Sequence, residues 1–347
     1  MLRDRLTLAL LVVVPLVQIV LFGYAIDLHP KALPTALVAS ENDSFVTRAI
    51  REFEADGYFR IVVRTIDPAQ AERWLAESRV QFVLRLPPQL GAQLLRGERP
   101  QVTLVADATD PVASVAAIQA VTARYSAATP QGPTRVRLVV ERRYNPEGAS
   151  RLFIVPGLLG VVLTLTLVLL GALSLVRERE HGTFETLAIL PLARGAVLLG
   201  KLTPYFVLGC LLFGVLLAVC VQLLDLPWHG LSAALALTVV VFVAANLALG
   251  IVLSLTARNQ MQAMQLGVFF YLPSMLLSGF MFPFHGMPAW ARAIGEVLPL
   301  THFLRVMRGV LLKGLPDASV WPLAWPIALF ALAAGALALG LYRKRLV

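Results

Sequence analysis

Polar and apolar positions along this chain are sorted into long blocks rather than alternating throughout. Six runs hold no Asp, Glu, Lys or Arg over the roughly 20 residues that a bilayer-crossing helix needs. They are 6–26, 152–176, 202–224, 226–257, 259–291 and 318–342. The fourth and fifth exceed one crossing, so part of each is expected to be tilted helix, loop or re-entrant segment. Residues 27–151, between the first two runs, have the mixed pattern of a water-soluble unit. Short β-branched runs predict strands over 35–39, 59–65, 80–86, 101–106 and 135–140. Amphipathic stretches punctuated by Gly57, Asp67-Pro68, Pro87-Pro88 and Pro111 predict helices over 44–55, 68–77, 88–95 and 111–127. The expected architecture is a polytopic α-helical membrane protein of six transmembrane helices with an inserted α/β domain. Its parts are an N-terminal anchor helix (1–26), the α/β domain (27–151) and a five-helix membrane domain (152–347).

Composition agrees with the pattern. Hydrophobic residues make up 58% of the 347 positions and charged residues 15%, with a mean hydropathy of +0.74; soluble domains are nearer 45–50% and about 25%. The basic start, apolar run and Gly23-Tyr24-Ala25 resemble a secretion signal. The run of 21 residues, however, exceeds the usual apolar core of about 7–15, and an uncleaved anchor is expected.

A formal charge of +9 could point to nucleic acid, but its distribution does not. Segment 27–151 holds 16 basic and 14 acidic residues, near balance. With a cytoplasmic N-terminus, the inside segments hold ten basic residues, among them Arg177, Arg179, Lys201 and Arg258. They hold four acids, Asp4, Glu178, Glu180 and Glu185, for a net of 10 − 4 = +6. This is the positive-inside bias that orients membrane proteins. It predicts a multi-pass protein of the bacterial inner membrane with both termini cytoplasmic, 27–151 periplasmic and no nucleic-acid partner.

Chemistry is sparse. No phosphate-binding loop, HExxH, GxSxG or paired-cysteine metal motif is present, so no catalytic residue, metal or bound cofactor is expected. Asp107 and Asp110 suit either a turn or an ion site. The histidines at 29, 181, 229, 285 and 302 are dispersed, and Cys210 and Cys220 read as apolar packing. Span interiors offer neutral groups such as Gln18, Gln222, Asn246, Gln262 and Gln265, and lack the charges that serve ion relays. Ala331 with Gly335, and Ala336 with Gly340, have helix-contact spacing. Prolines at 283, 288 and 299 cannot share one continuous helix; they predict a broken re-entrant element at the outer face, then an amphipathic stretch to Lys313.

Four segments carry a family resemblance. Leu21-Phe22-Gly23-Tyr24-Ala25 ends the first run. Tyr144-Asn145-Pro146 and Val155-Pro156-Gly157 lead into the second. Arg177-Glu178-Arg179-Glu180, then Gly182-Thr183-Phe184-Glu185 and Gly200-Lys201, follow it. Leu276-Leu277-Ser278-Gly279-Phe280, Met287-Pro288, Pro299-Leu300-Thr301 and Leu304-Arg305 lie near the C-terminus. In these the chain resembles ABC-2 type transporter permeases, specifically the long bacterial subclass with a large periplasmic insert and multidrug-efflux members. It departs from them in having only Met1–Arg5 before the first run, where members carry an amphipathic helix. The resemblance implies a dimer of permeases docked on cytoplasmic ABC ATPase subunits, which bind the ATP. It implies a coupling helix over 177–195, with Arg177, Glu178, Arg179, Glu180, Gly182, Thr183 and Glu185 meeting the ATPase. It also implies gating at outer broken helices over 281–313, at Gly279, Pro283, Pro288 and Pro299, membrane lipid around the spans and a periplasmic adaptor as a further partner. The competing expectation is a non-transporting scaffold or receptor whose periplasmic domain binds a ligand or protein.

Overall fold

The computed structural model describes residues 31–40, 44–55, 57–109, 111–126, 136–147, 149–182, 194–228, 230 and 232–345. The first apolar run, Asp110, Thr183 and Glu185 lie outside them.

Five strands, β1 (Leu33–Val38), β2 (Phe59–Thr65), β3 (Phe82–Arg85), β4 (Gln101–Asp107) and β5 (Arg137–Arg143), form one sheet in the order β2-β1-β3-β4-β5. β2, β1 and β3 run parallel, β3 and β4 antiparallel, and β4 and β5 parallel. The connections carry α1 (Ser44–Glu54), α2 (Pro68–Ala76), α3 (Leu90–Leu95) and α4 (Pro111–Ser126). α2 starts where Asp67 accepts from the Ala69 N–H and proline fills the first turn. Leu37, Phe53, Phe59, Phe82 and Leu104 form the core on one sheet face, with the Phe59 and Phe82 rings edge to face. Ala36, Val38, Leu75, Val83 and Val105 form a smaller core on the other. Each expected strand and helix of this segment falls within a few residues of an observed one.

Helix α5 (Ser150–Glu180) follows, then α6 (Arg194–Leu223), α7 (Ala233–Thr256), α8 (Gln260–Leu277), α9 (Ala289–Gly295), α10 (Pro299–Lys313) and α11 (Asp317–Arg345). Four of these, α5, α6, α7 and α11, are long and apolar enough to cross a membrane. α5 and α7 are central, with 61% of each apolar window buried, against 22% for α6 and α11. Glycine sets the α5–α7 distance: a Cβ on Gly250 would lie 2.7 Å from the Gly171 Cα and 2.8 Å from the Val168 carbonyl oxygen. No side chain fits between backbones that close. Within the chain Gly335 and Gly340 set no such distance, because a Cβ on either meets nothing within 4 Å, although Ala331 packs against the bundle core.

The run 259–291 is not one helix. α8 ends at Leu277, Gly279 turns the chain at φ +83°, and a short 3-10 turn (Phe284–Gly286) and α9 follow. α10 is the expected amphipathic stretch ending at Lys313, and twelve of its residues, including Leu300, Phe303 and Met307, are buried against the bundle. The Phe303 ring stacks on Phe242 at 4.0 Å between centroids. Gly160 of α5 admits it: a Cβ there would lie 2.8 Å from both Leu300 and Phe303 side chains.

Candidate coupling site and outer joint

Two polar regions stand out in this apolar bundle. The first is the end of α5. Successive helical residues project about 100° apart, so neighbouring charges at 178, 179 and 180 reach three different helices. Glu178 pairs with Lys201 of α6. The Arg179 guanidinium donates to the carbonyls of Ser254 (2.9 Å) and Ala257 (3.2 Å) at the end of α7. A cation there satisfies terminal carbonyls that have no helical partner. Glu180 accepts from the backbone N–H and the side-chain amide of Gln260, which opens α8. The Ser254 hydroxyl adds to the clasp by accepting from the Leu175 and Val176 N–H groups (3.1 and 3.0 Å). Arg177, by contrast, is exposed. Gly182 follows at φ +74° and ends the helix, with open space around its Cα. Its constraint is therefore backbone conformation, which glycine alone adopts without strain.

The structure thus brings Glu178, Arg179 and Glu180 onto partners within the chain, and leaves Arg177 and Gly182 at the surface. Lys201, flagged by its motif, completes the cluster. Ser254, Ala257 and Gln260 were not legible as site residues; the signal was the charge triplet itself, whose angular spread requires acceptors and donors on several helices.

The second region joins the α/β unit to the broken helices. Gly279, Pro283, Pro288 and Pro299 shape one compact element. Pro283 precedes the 3-10 turn, Pro288 precedes α9, and Pro299 is the first residue of α10. Gly295 packs so closely that a Cβ would lie 2.5 Å from the Leu277 carbonyl oxygen. The Thr301 hydroxyl donates to the Gly295 carbonyl (2.7 Å) and His302 Nε2 donates to the Glu296 carbonyl (2.8 Å). Arg305 binds both Glu296 carboxylate oxygens (2.7 and 2.9 Å). Arg308 donates to the Gly279 carbonyl and lies over the Phe153 ring.

A cavity of about 310 Å³ separates this element from the α/β unit, with Gln81, Asp107, Glu296, Arg305 and Arg308 among its walls. At its edge Lys313 reaches up from α10 to Asp107 (2.5 Å), the Ser78 hydroxyl (2.6 Å) and the Leu75 carbonyl (3.2 Å). Asp107 also holds the turn, accepting from the Thr109 N–H and hydroxyl. Beside it Tyr144, at φ +66°, presents its ring 5.4 Å from the Lys313 ammonium. Burial, together with the Asp107 and Glu72 carboxylates, pushes the phenol up to about 12, so it stays neutral. Asn145 pins the following turn by exchanging two hydrogen bonds with Ala149.

Comparison with known proteins places these regions in context. A family model described as "ABC-2 family transporter protein" matches residues 5–341. The chain belongs to that family. It is similar to the probable multidrug ABC transporter permease YbhR of Escherichia coli K12, 26% identical over 100% of this chain and 96% of that protein. It is 27% identical to the probable multidrug ABC transporter permease YbhS of the same organism, over 90% and 85% of the two chains. The inner membrane transport permease YhhJ, also from that strain, is 23% identical over 88% and 86%. This ABC-2 permease is a membrane subunit and not the enzyme of its system; ATP hydrolysis lies in a partner that membership of the family implies.

Proposed function

We propose that this permease is the conducting half of an exporter of the bacterial inner membrane. It carries an amphipathic or hydrophobic cargo out of the cytoplasm or inner membrane, driven by ATP hydrolysed on separate subunits, and binds no nucleotide itself. Both termini and the 177–195 segment face the cytoplasm, residues 27–151 face the periplasm, and two permeases pair. The periplasmic unit shapes the exit and meets an adaptor. The broken helices around Gly279, Pro283, Pro288 and Pro299 form the outer gate.

The observation that carries this reading is the α5 terminus. Arg177 and Gly182 are exposed there, immediately beside a clasp that ties α5 to α6, α7 and α8. Force applied by a partner at one short segment is delivered to four helices, three of them through hydrogen-bonded or charged side chains. Co-purification from detergent with the cognate ATP-binding subunit tests it. Arg177→Glu, Glu185→Arg and Gly182→Trp are each expected to lower recovery of that subunit at least about tenfold. Full retention in all three variants would overturn the reading.

A further inference from the structure

The α/β unit and the membrane bundle share little apolar contact. The cores of the sheet are built from its own strands and helices. Ala76 is the residue of the α/β unit that packs against the bundle core among the described residues. A cavity lies in the remaining joint, and β1 comes close to the 3-10 turn (Phe284–Gly286) beside it. Apolar burial is the usual adhesive between units, and here it is scant.

What crosses the joint instead is a cation. Lys313 has a side chain 1% exposed, and Asp107, its partner, is 7% exposed. An ammonium has three protons, and the three acceptors of Asp107, Ser78 and Leu75 take all of them. These acceptors lie 206 to 238 residues away in sequence. They sit on the last residue of β4 and around the end of α2. Ser319, two residues into α11, adds a weaker contact to Glu77 at 3.5 Å. A buried ion pair contributes little net stability when complete but fixes one arrangement, because a broken pair strands a charge away from water.

We infer that Lys313 is a latch: it docks the α/β unit on α10 in a single register, so that the unit and the broken-helix element move as one body. In the exporter, Lys313 is then a positioning residue, transmitting movement of Pro299–Lys313 to the periplasmic unit without touching cargo. That consequence rests on the exporter reading; the docking does not.

The experiment measures docking alone. Spin labels at Leu95→Cys on the α/β unit and Val297→Cys beside α9, in a Cys210→Ala/Cys220→Ala background, report the distance between the two bodies in detergent. No nucleotide, cargo or ATP-binding subunit is present, so failure of the exporter reading cannot alter the result. The unsubstituted latch is expected to give one narrow distance. Lys313→Met or Asp107→Leu should broaden it, shifting the docking equilibrium on the order of a hundredfold, and the double variant should narrow it again because no charge is left stranded. Ser78→Ala, which removes one neutral acceptor, should broaden it only slightly. Should the single variants fail to fold while the double variant folds and docks, the pair is equally identified as the latch. Single variants with an unchanged narrow distance, or a double variant no better docked than the worse single, would overturn the proposal.

Discussion

His302 is buried near the start of α10 and hydrogen-bonded to the Glu296 carbonyl, a contact that requires the proton on Nε2. Burial is the largest influence on it and holds the ring below the ordinary histidine range; that hydrogen bond opposes the shift, and the nearby Arg305 charge adds to it. An unfolded chain therefore binds a proton more readily than the folded one, and stability is lost as pH falls through and below about 6.5. Thermal unfolding in detergent is expected to be flat above pH 7 and to decline toward pH 5. His302→Gln should cost about 1 kcal/mol at neutral pH, from the weakened hydrogen bond, and should flatten that decline. An unchanged slope in the variant would remove His302 as its source. The same scale explains why the charge triplet at 178–180 escaped a purely local reading: each charge looks solvent-facing in isolation, and only the 100° step between residues separates their destinations.

Among the elements, the strands and helices of the α/β unit were legible because their signals are local. Alternating β-branched residues mark the strands, and Gly57, Pro68 and Pro111 mark the breaks. The amphipathic pattern of α10 was legible, but the partners of its polar side were not. Arg305, Arg308 and Lys313 meet Glu296, Gly279, Phe153, Ser78 and Asp107, drawn mostly from distant segments. The tight α5–α7 crossing was equally silent, since Gly171 and Gly250 belong to runs with no distinctive spacing. Gly250→Ala should force α5 and α7 apart and lower stability by about 1–3 kcal/mol, the cost of overpacking. Gly335→Ala, in open space, should show no loss. Paired melting curves decide the matter; equal behaviour of the two variants would contradict the crossing.

For the molecule as a whole, the distribution of charge bears on the energy source. Among the described residues, the interiors of the four long apolar helices hold neutral groups such as Thr164 and Asn246, while Glu178 and Lys201 pair at one end of the bundle. No proton relay can be assembled from such groups. Accumulation of a fluorescent amphiphile in inverted vesicles containing the permease and its ATP-binding subunit should therefore require ATP and survive a protonophore. Collapse of accumulation on adding the protonophore would point to ion coupling instead. The sheet has a consequence of its own. Because β3 and β4 pair antiparallel while every other neighbouring pair is parallel, β5 runs opposite to β1. The chain therefore leaves the sheet at the same end at which it entered. A strand of seven residues is about 23 Å long, and with the opposite sense at β4 the chain would finish that far from its starting point. Ends that share one end of the sheet, three strands or about 14 Å apart, make the whole unit a cassette: replacing residues 33–143 with a flexible bridge of that reach should leave the remaining helices joined, so the module can be transplanted between permeases without rethreading either one.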